Sequence, residues 1–423
     1  MTKDLVALWA TFEQNLVLVL GVILFAGALL GRAVEFVRLP QITGYILAGL
    51  ILGPHGIGLV DTRLVWPLHV LTIVALATIA FHIGSEFDRA KLRRTGVAVC
   101  TLAAAQLVGS FLLVLGVMLA IGLAWQNVLL LAALATSTAP VTTYTVIHSI
   151  RASGRAVDYV YGILALNDAS VILIFGFVSS IAASALTRDG SAPGALAAVL
   201  PALGNEVLSI AYGAASGVAV AFALHFMHRD PMVNDVRVKV SFIGMALVFV
   251  GVALALGLSH LLAPLALGVT MANTMPAATI NRLKELLRPF TDPLFLVFLV
   301  LAGAHLRADI LGHPLTTLIA VCYVVFRLAG KYAGIAGAAT FLELPKSMVA
   351  SLGLCFASQG GLVIGMLLTF ANAPAIAALP ADQSVEVHRV VSAVLIAVLI
   401  SQLFGPAVIR YALRRTASQH DRQ

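Results

Sequence analysis

The chain of 423 residues holds 60% hydrophobic and only 11% charged residues, against roughly a quarter charged in soluble domains. With a mean hydropathy of +1.01, this excludes an ordinary soluble enzyme or binding module and points to an all-α polytopic membrane protein. The net charge of +7 does not call for nucleic acid, because lysines and arginines in the loops account for it.

Met1 to Glu13 carries Lys3, Asp4 and Glu13 and lacks a small-residue cleavage site, so the apolar stretch that follows reads as a first span rather than a secretory signal. Apolar stretches bounded by charges, Pro or Gly predict thirteen spans, starting near Asn15, Gln41, Leu64, Thr95, Gln126, Val157, Glu206, Val236, His260, Phe290, Leu315, Lys346 and Glu386. With the N-terminus outside, 19 basic residues fall in the inside loops and tail and only 5 outside. That asymmetry places the C-terminus in the cytoplasm. The longer connections, Thr187 to Asn205 and Asn372 to Gln383, are expected outside, and the tail at 413–423 is too short for a soluble regulatory module. Cys100, Cys322 and Cys355 all fall in apolar runs, so neither a disulfide framework nor a zinc site is expected.

Spans one to six resemble spans eight to thirteen. Gly44-Tyr45-Ile46-Leu47-Ala48-Gly49 in span two matches Pro264-Leu265-Ala266-Leu267-Gly268 in span nine. The end of span three, His82-Ile83-Gly84-Ser85, matches Leu301-Ala302-Gly303-Ala304-His305 at the end of span ten. An offset of seven spans turns one copy upside down relative to the other, an arrangement typical of secondary transporters. The expected organisation is a first inverted repeat with its outer loop at 1–205, a linker span at 206–235, a second repeat at 236–412 and the tail at 413–423.

Chemistry concentrates in four places. Asn167 and Asp168 lie in the apolar run from Val157 to Ala183. A helix rising about 1.5 Å per residue through a slab about 30 Å thick holds them near mid-depth. A carboxylate there costs at least about 2.5 kcal/mol and usually faces a wet cavity. Span five contains Thr136-Ser137-Thr138-Ala139-Pro140, and its counterpart, span twelve, contains Ser358-Gln359-Gly360-Gly361. Pro removes an amide donor and paired glycines destabilise a helix, so both spans are expected to break inside the membrane. Such breaks are tolerated where the freed groups line a cavity or meet polar neighbours, and here they offer oxygens to a monovalent cation. Arg327 and Lys331, four residues apart in span eleven, share one helix face and need partners, for which Asp168 and Asn167 are the candidates; the alternative is that one base snorkels and the other pairs with a carbonyl. His82 titrates in the range useful for pH sensing, although a histidine near a helix end more often makes only an interfacial hydrogen bond. No spacing of His and acidic residues suits a resident metal, and no cofactor is expected.

Taken in order, Leu39-Pro40-Gln41-Ile42-Thr43-Gly44-Tyr45-Ile46-Leu47-Ala48-Gly49, the Thr136 to Pro140 break, Asn167-Asp168, Leu301-Ala302-Gly303-Ala304 and Gln359-Gly360-Gly361 resemble the monovalent cation:proton antiporter superfamily, and within it the Kef-like and Nap-like sodium or potassium/proton exchangers. The resemblance covers essentially the whole chain. It implies a thirteen-helix antiporter fold with inverted six-helix repeats and broken crossing helices, a homodimer, and a moving core bundle in a bacterial inner membrane. By the same resemblance Asp168 binds the cation or proton beside Asn167, Thr136 to Pro140 and Ser358 to Gly361 form the broken helices, and Lys331 or Arg327 is the basic partner. Electrogenic relatives carry Asp-Asp where this chain has Asn-Asp. Many Kef-like members carry a nucleotide-binding domain not expected here, so a separate soluble regulatory subunit joins membrane lipid among the candidate partners.

If Asp168 is the sole titrating carboxylate, it crosses neutralised by one cation, Na+ or K+, or by one H+, which gives electroneutral exchange. Arg327 stays protonated, whereas a buried lysine can release its proton, so Lys331 keeps an electrogenic cycle open. Two other classes stay open: a sodium-coupled symporter of a small organic anion, which shares broken crossing helices, and a non-transporting membrane subunit of a partner-dependent complex. A membrane enzyme is not expected, because no nucleophile-base constellation stands out.

Overall fold

The computed structural model describes residues 15–36, 40–54, 56–60, 62–87, 89–186, 192–228, 235–304, 313–373, 376 and 378–420. Among these it is all-helical, with no strand. The helices are α1 Leu16–Phe36, α2 Gln41–Leu52, α3 Thr62–Gly84, α4 Arg89–Ala120, α5 Trp125–Ala135, α6 Pro140–Ser149, α7 Arg155–Leu186 and α8 Ala192–His228. They continue as α9 Asp235–Ala255, α10 Leu262–Thr274, α11 Ala277–Ala304, α12 Pro314–Phe341, α13 Lys346–Leu354, α14 Gly361–Ala371 and α15 Ala381–His420. Nine stretches among the described residues are long and apolar enough to cross a membrane, the α5–α6 pair counting as one, while α2, α10 and α14 are shorter apolar helices. Satisfying every backbone group internally leaves the helix as the natural element for so apolar a chain.

Several boundaries depart from the expected ones. Helix α8 begins at Ala192, inside the connection expected over Thr187 to Asn205, because Ala-rich sequence with Pro193 in the first turn favours helix. Helix α11 begins at Ala277, well before Phe290, since the charged segment 282–288 is helical as well. Its basic residues reach across: Arg282 pairs with Asp235 of α9, and Lys284 pairs with Glu86 just beyond α3. Gly96 interrupts α4 with φ 76°, a left-handed backbone that glycine adopts without steric cost. Within the expected connections, 187–191 lies outside the described residues, as does His305.

The helices pack as two bundles. In one, α1 lies on α2, α2 on α11, and α3 on α10 and α11, while α8 covers α10. In the other, α12 packs along α4 and α15, α5 lies between α4 and α7, and α13 packs on α12 and α15. The α7–α8 contact is the largest between them, and α3 and α11 also touch α14 while α3 and α10 touch α7.

Glycine brings backbones together at several crossings among the described residues, three of them with a backbone carbonyl against a glycine of each helix. A Cβ added at Gly49 of α2 would meet Val300 O of α11 at 1.9 Å, and one at Gly303 would meet Ile46 O at 2.1 Å. Likewise a Cβ at Gly84 of α3 would meet Leu265 O of α10 at 2.1 Å, and one at Gly268 would meet Phe81 O at 2.4 Å. At the third crossing, Gly109 of α4 and Gly330 of α12 face each other, each added Cβ lying 2.3 and 2.5 Å from the other residue's carbonyl oxygen. Small residues that let helices approach are how membrane bundles gain packing energy without a hydrophobic drive. Gly109→Leu is therefore expected to separate α4 from α12 and lower stability by about 1–3 kcal/mol or more. Gly116→Leu, on the same helix where an added Cβ meets nothing within 4 Å, should leave the melting temperature in detergent near that of the parent; equal melting of both variants would contradict the close crossing.

Candidate functional site

Helix α5 ends at Ala135, and Pro140 opens α6. Pro140 has no amide hydrogen and pushes the preceding residue out of the helical region. Ala139 accordingly takes φ −111°, ψ 92°. The second break runs from Cys355 to Gly360, with Gly360 extended at φ −94°, ψ 175° before α14 starts. The two unwound segments meet directly, since Ala139 N donates to Ser358 O at 3.0 Å. Thr136, Ser137, Thr138, Ser358 and Gln359 are all buried there.

A break of this kind leaves carbonyls at the C-terminal ends of α5 and α13, where the helix dipoles are negative. The two bases of α12 meet them. Arg327 donates to Ser137 O at 2.6 Å, Ala357 O at 2.9 Å, Ser358 O at 3.1 Å and Phe356 O at 3.4 Å, bridging both half-helices. Lys331 donates to Thr136 O and to Gln106 Oε1, both at 2.6 Å. Both side chains are fully buried. Among the described residues neither base forms an ion pair with Asp168; Arg327 caps backbone carbonyls, and Lys331 reaches Asn167 only through Gln106.

That link is a chain of amides. Gln106 Nε2 of α4 donates to Asn167 Oδ1 of α7 at 2.7 Å, and Asn167 Nδ2 donates to Thr138 Oγ1 at 2.8 Å. Asp168, next along α7, is half-buried, and its Oδ1 is enclosed without a hydrogen-bond partner. On the other side of the break, Gln359 Nε2 donates to Leu134 O at 2.9 Å and to the Tyr323 hydroxyl at 2.8 Å, leaving its own Oε1 buried and unpartnered. Gln402 of α15 donates to Gln359 O at 2.7 Å and accepts from the Thr142 hydroxyl at 3.2 Å.

The arrangement thus gathers a carboxylate, two broken helices and two buried cations in one bundle. A monovalent cation as cargo fits this chemistry: an enclosed carboxylate oxygen lacking a partner, beside unwound backbone, is the kind of ligand set used in transporters. His82 stands apart. It lies half-buried in the last turn of α3, near the Lys284 and Glu86 pair, and Phe81 beside it packs with α8, α9, α10 and α11.

Sequence reasoning missed Gln106 and Gln402, each a lone polar residue in an apolar run. It also gave no role to Glu206 of α8, which is buried and accepts the Ser180 hydroxyl of α7.

Comparisons with known proteins give the family and the fold. Residues 21–415 match the family model of the transmembrane sodium/hydrogen exchangers. Over 289 residues the chain is 29% identical to the glutathione-regulated potassium-efflux system protein KefC of Cronobacter sakazakii, covering 66% of this chain and 44% of that protein. Over 362 residues it is 22% identical to the K(+)/H(+) antiporter subunit KhtU of Bacillus subtilis, covering 82% and 83%. The fold matches the sodium proton antiporter MjNhaP1 of Methanocaldococcus jannaschii with a TM-score of 0.71 at 16% identity, over 93% of this chain and 96% of that one. With nearly its whole length matched by the family model, the chain belongs to the sodium/hydrogen exchanger family.

Proposed function

We propose that the protein is a secondary transporter exchanging a monovalent cation, Na+ or K+, for protons by alternating access, with Asp168 as the carboxylate that carries one or the other. The observation that carries this reading is the enclosed, unpartnered Asp168 Oδ1 on α7, next to an asparagine bonded to the first of two unwound segments. A bare carboxylate is costly in the membrane, so Asp168 moves neutralised by a cation or by a proton. One-for-one exchange without net charge follows. Arg327 offsets the carbonyl ends of both broken helices and holds them as one unit.

The inverted repeat gains support from the glycine crossings. If α2 corresponds to α10 and α3 to α11, the α2–α11 crossing at Gly49 and Gly303 turns into the α10–α3 crossing at Gly268 and Gly84. The α4–α12 crossing maps onto itself through Gly109 and Gly330. Gln106 and Arg327 then occupy equivalent places, each three residues before its glycine. Homodimer assembly and a cytoplasmic C-terminus extend the reading, supported by the family resemblance and the basic loops.

Purified protein in liposomes, with proton movement followed as sodium, potassium or lithium is added in turn, tests the function. Cation-evoked proton movement that persists at the same rate when the voltage is clamped supports electroneutral exchange. Uptake of a cation indifferent to any proton gradient would instead favour a symporter.

A further inference from the structure

Among the described residues two side-chain hydrogen bonds cross between the bundles, and both lie at one end. Glu206, in the first turn of the apolar span 203–227 of α8, accepts the hydroxyl of Ser180 near the end of α7. His260, just before α10, lies 3.2 Å through Nε2 from the Thr369 hydroxyl near the end of α14. This is the end that the basic loops place outside. At the opposite end Asn273 of α10 reaches Phe87 O and Lys284 of α11 pairs with Glu86, both within the first bundle. Glu206 is 4% exposed, and its Oε2 is enclosed without a partner. Its helix is tied to the first bundle, since Asn205 Nδ2 donates to Gly257 O at 3.0 Å and Ser209 Oγ accepts from Ser259 N at 2.9 Å. No cation offsets it from the helices packed on α8. Helix α10 carries no charged residue, and those of α9, Asp235, Arg237 and Lys239, stand at its inner end. On α7, Arg155 and Asp158 are also at the inner end, and Asp168 is twelve residues, about 18 Å, from Ser180. His260, the titratable residue of the α9–α10 turn, is engaged with Thr369.

An ionised carboxylate is costly in a dry contact and inexpensive in water. The closed contact therefore suits Glu206 as the neutral acid, which keeps the Ser180 bond on its carbonyl oxygen. Parting of α7 from α8 lets water reach Oε2, and the acid ionises. Proton binding and closure thus favour each other by linkage. We propose that Glu206 is a second proton-binding site, separate from Asp168, whose proton closes the outer side by holding α7 of one bundle against α8 of the other. The inference rests on the alternating-access reading and adds its outer control. The proton comes from the outer water as the contact forms and returns there as it breaks. It is not carried across, so one-for-one exchange is unchanged. Acid outside then favours a closed outer side, and alkali outside an open one, with the His260–Thr369 contact closing beside it.

The test follows opening directly. Ile210, half-buried one turn after Glu206 on the same face of α8, is replaced by Ile210→Cys in protein whose Cys100, Cys322 and Cys355 are changed to alanine. Its labelling by a maleimide is timed in detergent from mildly acid to alkaline pH. At each pH the rate is divided by that of the Glu206→Gln protein bearing the same cysteine, which cancels the thiol's own pH dependence. The glutamine keeps an oxygen for Ser180 and stays neutral. The ratio should be near one at acid pH and rise roughly 5- to 30-fold at alkaline pH. In liposomes Glu206→Gln should raise the apparent KM for sodium or potassium by a similar factor at alkaline pH and little at acid pH. A residue that only braced the bundles would move neither, because the glutamine preserves its bond. Ser180→Ala removes a bond from the closed contact and leaves the titrating group, so labelling should quicken at every pH; this variant carries the test if Glu206→Gln lacks a cooperative melt. A ratio flat with pH, or Ser180→Ala labelling no faster than the parent's, would overturn the proton site while leaving exchange intact. A parent protein without cation-evoked flux would remove the exchange reading itself, and the labelling would still decide the proton site.

Discussion

Asp168→Asn should reduce cation-evoked proton flux to the level of protein-free liposomes while the protein inserts and melts at or above the parent's temperature. The two halves of this result have one cause. Asp168 Oδ1 is enclosed without a partner, so the ionised carboxylate is held at a cost of at least about 2.5 kcal/mol on insertion scales. That cost is what makes it take up a cation or a proton. The neutral amide has nearly the same volume, binds neither and removes the penalty, so function is lost as stability is kept or gained. A residue that merely braced the bundle would give the opposite pattern, with stability falling and flux declining only in proportion. Full flux with a lowered melting temperature would move the coupling carboxylate elsewhere, and Glu206, buried on α8, would be the next residue to replace.

Arg327→Met should produce the largest loss of stability among the site variants, about 3–5 kcal/mol, because it strips charged donors from buried acceptors. Arg327 serves Ser137 O, Phe356 O, Ala357 O and Ser358 O. Without it these carbonyls face one another at the junction of two half-helices, each orphaned group costing about 1–3 kcal/mol before relaxation. Arg327→Lys should recover only part, since a compact ammonium cannot span both segments as a planar guanidinium does. Lys331→Met should cost less, because Lys331 holds a single carbonyl, Thr136 O, and one amide. Melting curves in one detergent rank the three. An Arg327→Met protein as stable as the parent would mean that the broken ends are satisfied by other means.

The parts of this molecule legible in the sequence are those written in single residue types. Pro140 and the Gly360-Gly361 pair mark the breaks because each acts on its own backbone, and Asn167-Asp168 stands out because a carboxylate in an apolar run is costly. The role of Arg327 was not legible. Its partners are main-chain carbonyls, which carry no sequence identity, so the sequence could suggest a carbonyl partner for one of the two bases but not which base or which carbonyls. Gln106 lies in Leu102-Ala103-Ala104-Ala105-Gln106-Leu107, where one amide is indistinguishable from an ordinary packed polar residue until α4, α7 and α12 are brought together. The start of α11 was misplaced for a related reason: hydropathy ends where charge begins, whereas a helix continues wherever its residues favour it. The glycine matches of the two halves, by contrast, were visible as letters, and the crossings at Gly49, Gly84, Gly268 and Gly303 supply the physical reason for those letters.

The central claim, that cation and proton compete for Asp168, is tested most directly by proton release on cation binding. Sodium or potassium is added to purified protein in weakly buffered detergent solution while released protons are counted. Competition predicts about one proton released per cation bound, an apparent affinity that weakens as pH falls, and neither signal in Asp168→Asn. Cation binding that releases no proton, or that survives unchanged in Asp168→Asn, would contradict it.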